Sequence, residues 1–155
     1  MIVDQATLAD LDQLLLLREA YLSDDFGELS AEEVRQLGEE LPGYFKHHLQ
    51  NDLLAFVARD EDGRIVSCAW LLLVAKPPSP RFPHGRTGVL FNVYTEPSHR
   101  RQGLARKVMG ALIEDARLRQ LDVLELHATD DGYPLYRLLG FDDDSTTHKA
   151  MRLML

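Results

Sequence analysis

Two apolar runs held apart by four polar residues, "DLLAFVAR" and "RIVSCAWLLLV" around "DEDG", constrain this chain more than any other stretch. The pattern predicts an antiparallel hairpin of the second and third strands, with Gly63 supplying a positive φ in the turn. Runs this apolar leave no face for water, so the sheet they build must be covered on both sides. The rest of the chain supplies the covers. A short first strand over residues 1–5 leads to Thr7 and Asp10, a helix-start pair, and Leu8, Leu11, Leu14 and Leu15 then repeat at helical spacing through about Ser23. Ser30 and Glu33 make a second capping box, with Leu29 and Val34 at the staple positions. Pro42-Gly43 is expected to break that helix before "YFKHHLQ" adds another turn or two. The four prolines of "KPPSPRFPHGR" make it a loop between the third and fourth strands.

A fourth strand, "TGVLFNVYTEP", is stopped by Pro97, and a helix from about Arg101 to Leu118 follows, apolar along Leu104, Ala105, Val108, Met109, Leu112, Ile113 and Ala116. "LDVLELHA" reads as a fifth strand, "GYPLYRLLG" as a short helix closed by Gly140, and "KAMRLML" as a terminal strand. A meander followed by strands alternating with helices implies an α/β fold. We expect a mixed, mostly antiparallel twisted sheet flanked by helices, one domain over residues 1–155.

Between the fourth strand and its helix lies "HRRQGLA". The first turn of a helix has four backbone N–H groups without partners, and its dipole adds roughly half a positive charge. Gly103 and Ala105 leave that turn open to a pyrophosphate, while Arg100, Arg101, Arg106 and Lys107 surround it with positive charge. The same small residues also suit close packing of helix on sheet. The fragment lacks the lysine-hydroxyl ending of an NTP-binding loop and the three-glycine dinucleotide fingerprint. On these residues alone, anion binding and packing stay equally open.

The wider stretch decides between them. "NVYTEPSHRRQGLARKVM", followed after a strand by "LHATDDGYPLYRLLGF", resembles the GNAT superfamily of acyl-CoA-dependent N-acetyltransferases. The family signature is Arg or Gln, two residues, Gly, one residue, then Gly or Ala, and Arg100, Gly103 and Ala105 match it. Tyr136 ahead of "LGF" matches the family's tyrosine. The resemblance implies that the sheet splays between its fourth and fifth strands. It also implies acetyl-CoA as co-substrate, with its pyrophosphate on the turn formed by Arg100, Arg101, Gln102, Gly103, Leu104, Ala105 and Arg106. The pantetheine arm would lie against the main chain of Val93, Tyr94 and Thr95, a strand-edge mode of recognition. A backbone N–H near Tyr94 would polarise the thioester carbonyl.

The reaction implied is acyl transfer from a thioester to a primary amine of a small molecule or peptide. Tyr136 is the candidate general acid for the departing thiolate, beside its plainer use as packing with Tyr133, Leu135, Leu138 and Leu139. Glu96 is a candidate base that also reads as a turn residue before proline, and His127 is another that also reads as an imidazole of the sheet. Many family members have Asn and Ala where this chain has Thr129 and Gly132. A non-catalytic acyl-CoA-binding module is the rival reading, and it would have no use for the phenol of Tyr136.

The acceptor segments by resemblance are "YLSDDFGEL", "KPPSPRFPHGR" and "DDDSTTHK". Asp24, Asp25, Glu28 and Asp142 to Asp144 are the acids there that would attract a cationic amine. With 25 acidic against 17 basic residues and a net charge of −8, the average field disfavours nucleic acid and anionic membranes as partners. No run approaches a membrane span and the amino terminus is acidic where a secretory signal is basic, so a cytoplasmic location is expected. Cys68, the single cysteine, reads as a buried thiol. His47, His48 and His84 lack metal-ligand spacing, so no metal is expected. A homodimer is left open.

Overall fold

The computed structural model describes residues 1–155. Five strands, β1 (Ile2–Gln5), β2 (Leu53–Arg59), β3 (Ile65–Ala75), β4 (Arg86–Thr95) and β5 (Val123–Glu125), form one sheet in the order β1-β2-β3-β4-β5. The first four are antiparallel neighbours, and β5 runs parallel to β4. The helices are α1 (Leu11–Phe26), α2 (Ala31–His48), α3 (Leu104–Leu118) and α4 (Tyr133–Leu138).

The uniform apolarity of β2 and β3 is explained by a core on each face. Along β2, Leu54, Phe56 and Ala58 pack with Val108, Met109, Leu112 and Ala116 of α3. The intervening Leu53, Ala55 and Val57 pack with Leu14 and Leu17 of α1 and Phe45 of α2. This is the two-residue period of a strand written in apolar residues on both faces. The turn between β2 and β3 has Gly63 at φ 80°, as expected from "DEDG".

Both capping boxes form. Thr7 and Asp10 start a single 3-10 turn that runs into α1, and Ser30 and Glu33 start α2. Asp10 has a second use, since it is buried and accepts two hydrogen bonds from Arg59 at 2.8 and 3.0 Å.

Three expectations need correction. Pro42 does not break its helix, because α2 continues through it to His48. Proline removes one hydrogen bond, but Phe45 and Leu49 beyond it are buried, and the Phe45 ring meets Trp70 edge-on at 5.3 Å. The fifth strand stops at Glu125 instead of Ala128, and "KAMRLML" forms no strand at all. Beyond Glu125 the chain loses its pairing with β4, and residues 149–155 make no backbone hydrogen bond.

Candidate active site

β4 and β5 pair only from Thr87–Val89 to Val123–Glu125. From Leu90 to Thr95, the edge of β4 that faces β5 therefore has no strand beside it. A bulge bends β4 at this point. Cys68 pairs with Tyr94 and Trp70 with Phe91, so Ala69 alone faces both Asn92 and Val93. Asn92 takes φ 51°, a left-handed conformation that asparagine tolerates better than most residues. Its buried side chain donates to the Leu17 carbonyl at 3.3 Å and accepts from Arg18 at 3.2 Å. The bulge is thus tied to α1, whose next turn brings Tyr21 and Asp25 towards the open edge. Arg18 sits 5.8 Å from the Tyr21 ring centre and 5.9 Å from that of Trp70, without a carboxylate partner.

Beyond β4 the chain makes a 3-10 turn, Pro97–His99, and then the turn into α3. Arg101 and Gly103 are both left-handed, at φ 64° and 76°. A Cβ on Gly103 would meet nothing within 4 Å, so its conformation, not crowding, requires glycine there. Lys107 makes the first backbone hydrogen bond, to the Gly103 carbonyl at 3.1 Å, and the N–H groups from Arg101 to Arg106 have no backbone partner. Such a row of free donors at a helix start favours a polyanion. Arg101 and Arg106 line the cleft beside it, neither in an ion pair. Arg100 is used differently: its Nε donates to the Thr95 carbonyl at 2.8 Å, its guanidinium pairs with Asp24, and it lies 5.5 Å over the Tyr94 ring. It clamps the end of β4 to α1.

On the opposite wall, α4 carries Tyr136, 9% exposed. Desolvation pushes its phenol up to about 12, helped by Tyr21. No chain group hydrogen-bonds the Tyr136 hydroxyl, which leaves it available to a ligand. Two cavities meet here. One, of about 760 Å³, runs from the turn at Arg101, Gly103 and Arg106 along Val93, Tyr94 and Thr95. The other, of about 1370 Å³, opens between β4 and β5 and is lined by Leu90, Leu124, Leu126, Phe141 and Asp143 among others. Tyr21, Asp25, Val93, Thr129, Asp130 and Tyr136 line both.

The model of the acetyltransferase (GNAT) family matches residues 14–141. The chain belongs to that family. It is therefore a GNAT-type acetyltransferase, built on the expected splayed sheet. A predicted acetyltransferase from Clostridium acetobutylicum, solved with acetyl-CoA, is 28% identical with a TM-score of 0.84, covering 97% of this chain and 95% of that one. A GCN5-related N-acetyltransferase from Ralstonia eutropha JMP134 shares the fold at 23% identity and TM-score 0.81, covering 97% of each chain. A ribosomal-protein-alanine N-acetyltransferase from Brucella melitensis biovar Abortus 2308 shares it at 22% identity and TM-score 0.69, covering 99% of this chain and 100% of that one. No curated protein matches the chain.

Within this GNAT frame, the cleft gathers Val93, Tyr94, Thr95, Arg100, Arg101, Gly103, Leu104, Ala105, Arg106 and Tyr136. Gln102 and Glu96 are not among its lining residues. The Gln102 side chain turns back to the Ser98 carbonyl at 3.4 Å, and Glu96 is held by Arg64 at 2.5 Å. His127 lies on the wall of the second cavity. The acceptor-side acids are largely occupied: Asp24 by Arg100, Asp142 by Arg137, Asp143 by the Tyr133 hydroxyl at 2.9 Å, and Asp144 by Arg81 at 3.3 Å. Asp25 and Asp130, both exposed and in no ion pair, are the acids that line both cavities.

The two departures from the usual GNAT pattern belong together. The Thr129 hydroxyl accepts from the Gly132 N–H at 3.2 Å, and a Cβ on Gly132 would lie 2.9 Å from Cε2 of Tyr136. Glycine lets the tyrosine ring lie against the start of its own helix. Asn92, Arg18 and Tyr21 were missed by sequence reasoning. An asparagine inside an otherwise apolar strand was the available signal for the bulge. Cys68 is fully buried, its thiol pushed up to about 12 by desolvation, and does not line either cavity.

Proposed function

We propose that this chain transfers the acetyl group of acetyl-CoA to a primary amine, with Tyr136 as general acid. The observation that carries the reading is the meeting of the anion-binding cleft and the second cavity at the free Tyr136 phenol. The N–H groups around Gly103 and the side chains of Arg101 and Arg106 take the pyrophosphate, and the open edge of β4 from Val93 to Thr95 takes the pantetheine arm. The acceptor enters through the second cavity, where Asp25 attracts its ammonium form.

The ammonium gives up a proton to water in the open cavity, and the neutral amine nitrogen bonds to the thioester carbon. The carbon–sulfur bond breaks, the departing thiolate takes the Tyr136 proton, and the second proton of the nitrogen leaves to the same water. The desolvation that raises the phenol also raises a thiolate lodged beside it, so proton transfer is less unfavourable than the values in water imply. The phenol is restored from solvent through the open cavity. Glu96 has no part in this scheme, being tied to Arg64 outside the cleft.

A panel of amines screened for CoA thiol release from acetyl-CoA tests the proposal. Turnover with at least one amine, reduced ten-fold or more in Tyr136→Phe with acetyl-CoA affinity retained, is the expected result. Binding of acetyl-CoA with no turnover across the panel would favour a binding module instead.

A further inference from the structure

The second cavity holds a cation that the chain itself does not pair. Arg18, Arg81 and Arg137 all line it. Arg81 is paired with Asp144 and Arg137 with Asp142, whereas Arg18 is in no ion pair. The Arg18 guanidinium, reaching from α1, is flanked by the rings of Tyr21 and Trp70, which hold it without neutralising it. Its one hydrogen bond runs from Nη1 to Asn92 Oδ1 at 3.2 Å, so Nε and Nη2 have no partner in the chain. These donors are not sealed in, since Trp70 Nε1 is the one buried side-chain polar atom without a partner. Burial nevertheless lowers the guanidinium from its ordinary value, desolvation outweighing the help of Tyr21 and Tyr44. A partly desolvated charge with free donors on a cavity wall is what an anion completes, and a planar guanidinium suits a carboxylate.

Acetyl-CoA does not supply that anion in the scheme above. Arg18 is absent from the first cavity, where Arg101, Arg106 and the turn at Gly103 take the pyrophosphate. The anion therefore belongs to the acceptor. Asp25 and Asp130 lie with Tyr136 where the two cavities meet, and Asp25 is seven residues beyond Arg18 on α1, about 10 Å by helical rise. The reach of the Arg18 side chain shortens that span. The acceptor cavity is thus bipolar, with acids at the junction and an unpaired arginine away from it. We propose that the acceptor is of the amino-acid class, a primary amine carrying a carboxylate, and that Arg18 binds this carboxylate while the amine sits at the junction beside Tyr136. This assignment rests on the acetyltransfer reading and narrows its acceptor.

The test compares glycine, leucine, phenylalanine, 4-aminobutyrate and 6-aminohexanoate with their carboxamides as acceptors, followed by CoA thiol release. Leucine and phenylalanine are included because Leu90, Leu124 and Phe141 line the cavity. Wild-type protein is expected to prefer at least one carboxylate to its amide by about ten-fold or more in kcat/KM, compared at equal concentrations of neutral amine. Arg18→Gln is expected to bring that ratio to about one, through the KM of the acceptor, and Arg18→Lys, which keeps the charge but not the fork, to an intermediate value. If Arg18 serves only to hold Asn92, its loss lowers carboxylate and amide alike and leaves the ratio unmoved. That result would overturn the proposal, as would a wild-type ratio near one for every pair. Should Arg18→Gln fail to fold, an unmoved ratio in Arg18→Lys decides in the same way.

Binding is measured separately, by calorimetry of 4-methylpentanoate, 3-phenylpropanoate and hexanoate with protein saturated with CoA. At least one is expected to bind wild-type protein and to lose about ten-fold or more in Arg18→Gln. Should no amine be turned over, that loss would keep the carboxylate site and remove the acetyltransfer scheme, whereas binding absent or equal in both proteins would overturn the site.

Discussion

Replacing Asn92 by alanine and by glycine separates the two things this residue does. Its side chain is buried, at 1% exposure, and both its polar ends are used, by Leu17 and Arg18. Either replacement removes those bonds and leaves a buried carbonyl and a guanidinium short of a partner, a loss of about 1–3 kcal/mol. Alanine must in addition take up φ 51°, which costs an ordinary L-residue roughly 1–2 kcal/mol, whereas glycine does so freely. In a regular strand the order is reversed, with glycine about 0.5–1 kcal/mol worse than alanine. We therefore expect Asn92→Gly to be more stable than Asn92→Ala. At ~2–4 °C per kcal/mol for a chain of this size, the gap is ~2–8 °C in Tm. Thermal unfolding followed by circular dichroism measures it, with urea titration to confirm equal slopes. Because the bulge bends β4 away from β5, Asn92→Ala should also bind acetyl-CoA more weakly than Asn92→Gly in calorimetry. An alanine variant that melts at or above the glycine variant would show that the left-handed bulge is not what selects Asn92.

Other outcomes follow from the same geometry. Burial keeps the Tyr136 phenol protonated, with its pKa near 12, so kcat should show no falling limb from neutrality to about pH 10; an earlier fall would assign the limb to another group. Gly103→Ala should cost about 1 kcal/mol in stability through its φ of 76°, because nothing crowds its Cβ. Gly103→Glu should fold comparably yet lose CoA binding, and wild-type affinity in calorimetry would remove the phosphate assignment. Arg59 holds the Asp10 carboxyl below its usual range, so this pair stabilises the fold above the unfolded carboxylate pKa of about 4 and ceases to do so as pH falls through the lower folded value. Asp10→Asn should accordingly lower stability by about 2 kcal/mol at neutral pH, with the difference closing in acid; a gap independent of pH would indicate packing and not charge.

Much of this arrangement is legible in the chain itself, and what is legible shares a cause. Thr7 with Asp10 and Ser30 with Glu33 act on backbone groups within a few residues, so the text of the sequence contains both partners of each interaction, whereas the helix expected from about Arg101 starts at Leu104 because Arg101 and Gly103 are left-handed. Arg100, Gly103, Ala105 and Tyr136 were visible as a motif only through the resemblance to the GNAT signature, since on its own residues the turn read equally well as packing. Glu96 was named because it follows the open strand, but its position beside Arg64, on a different strand end, is not encoded in that neighbourhood.

The sequence alone determined the two-faced hairpin and the two capped helix starts, since strand period and caps are local physics. The tertiary structure decided the rest. Pro42 stays within a helix because Phe45 beyond it is buried against Trp70, Asn92 becomes the pivot of the site because Leu17 and Arg18 lie over it, and Asp24, Asp142, Asp143 and Asp144 are taken up by Arg100, Arg137, Tyr133 and Arg81 while Asp25 is in no ion pair. The same reason explains the unformed strand. "KAMRLML" has the pattern of a strand, but a strand exists only beside another, and in the folded chain residues 149–155 pair with none.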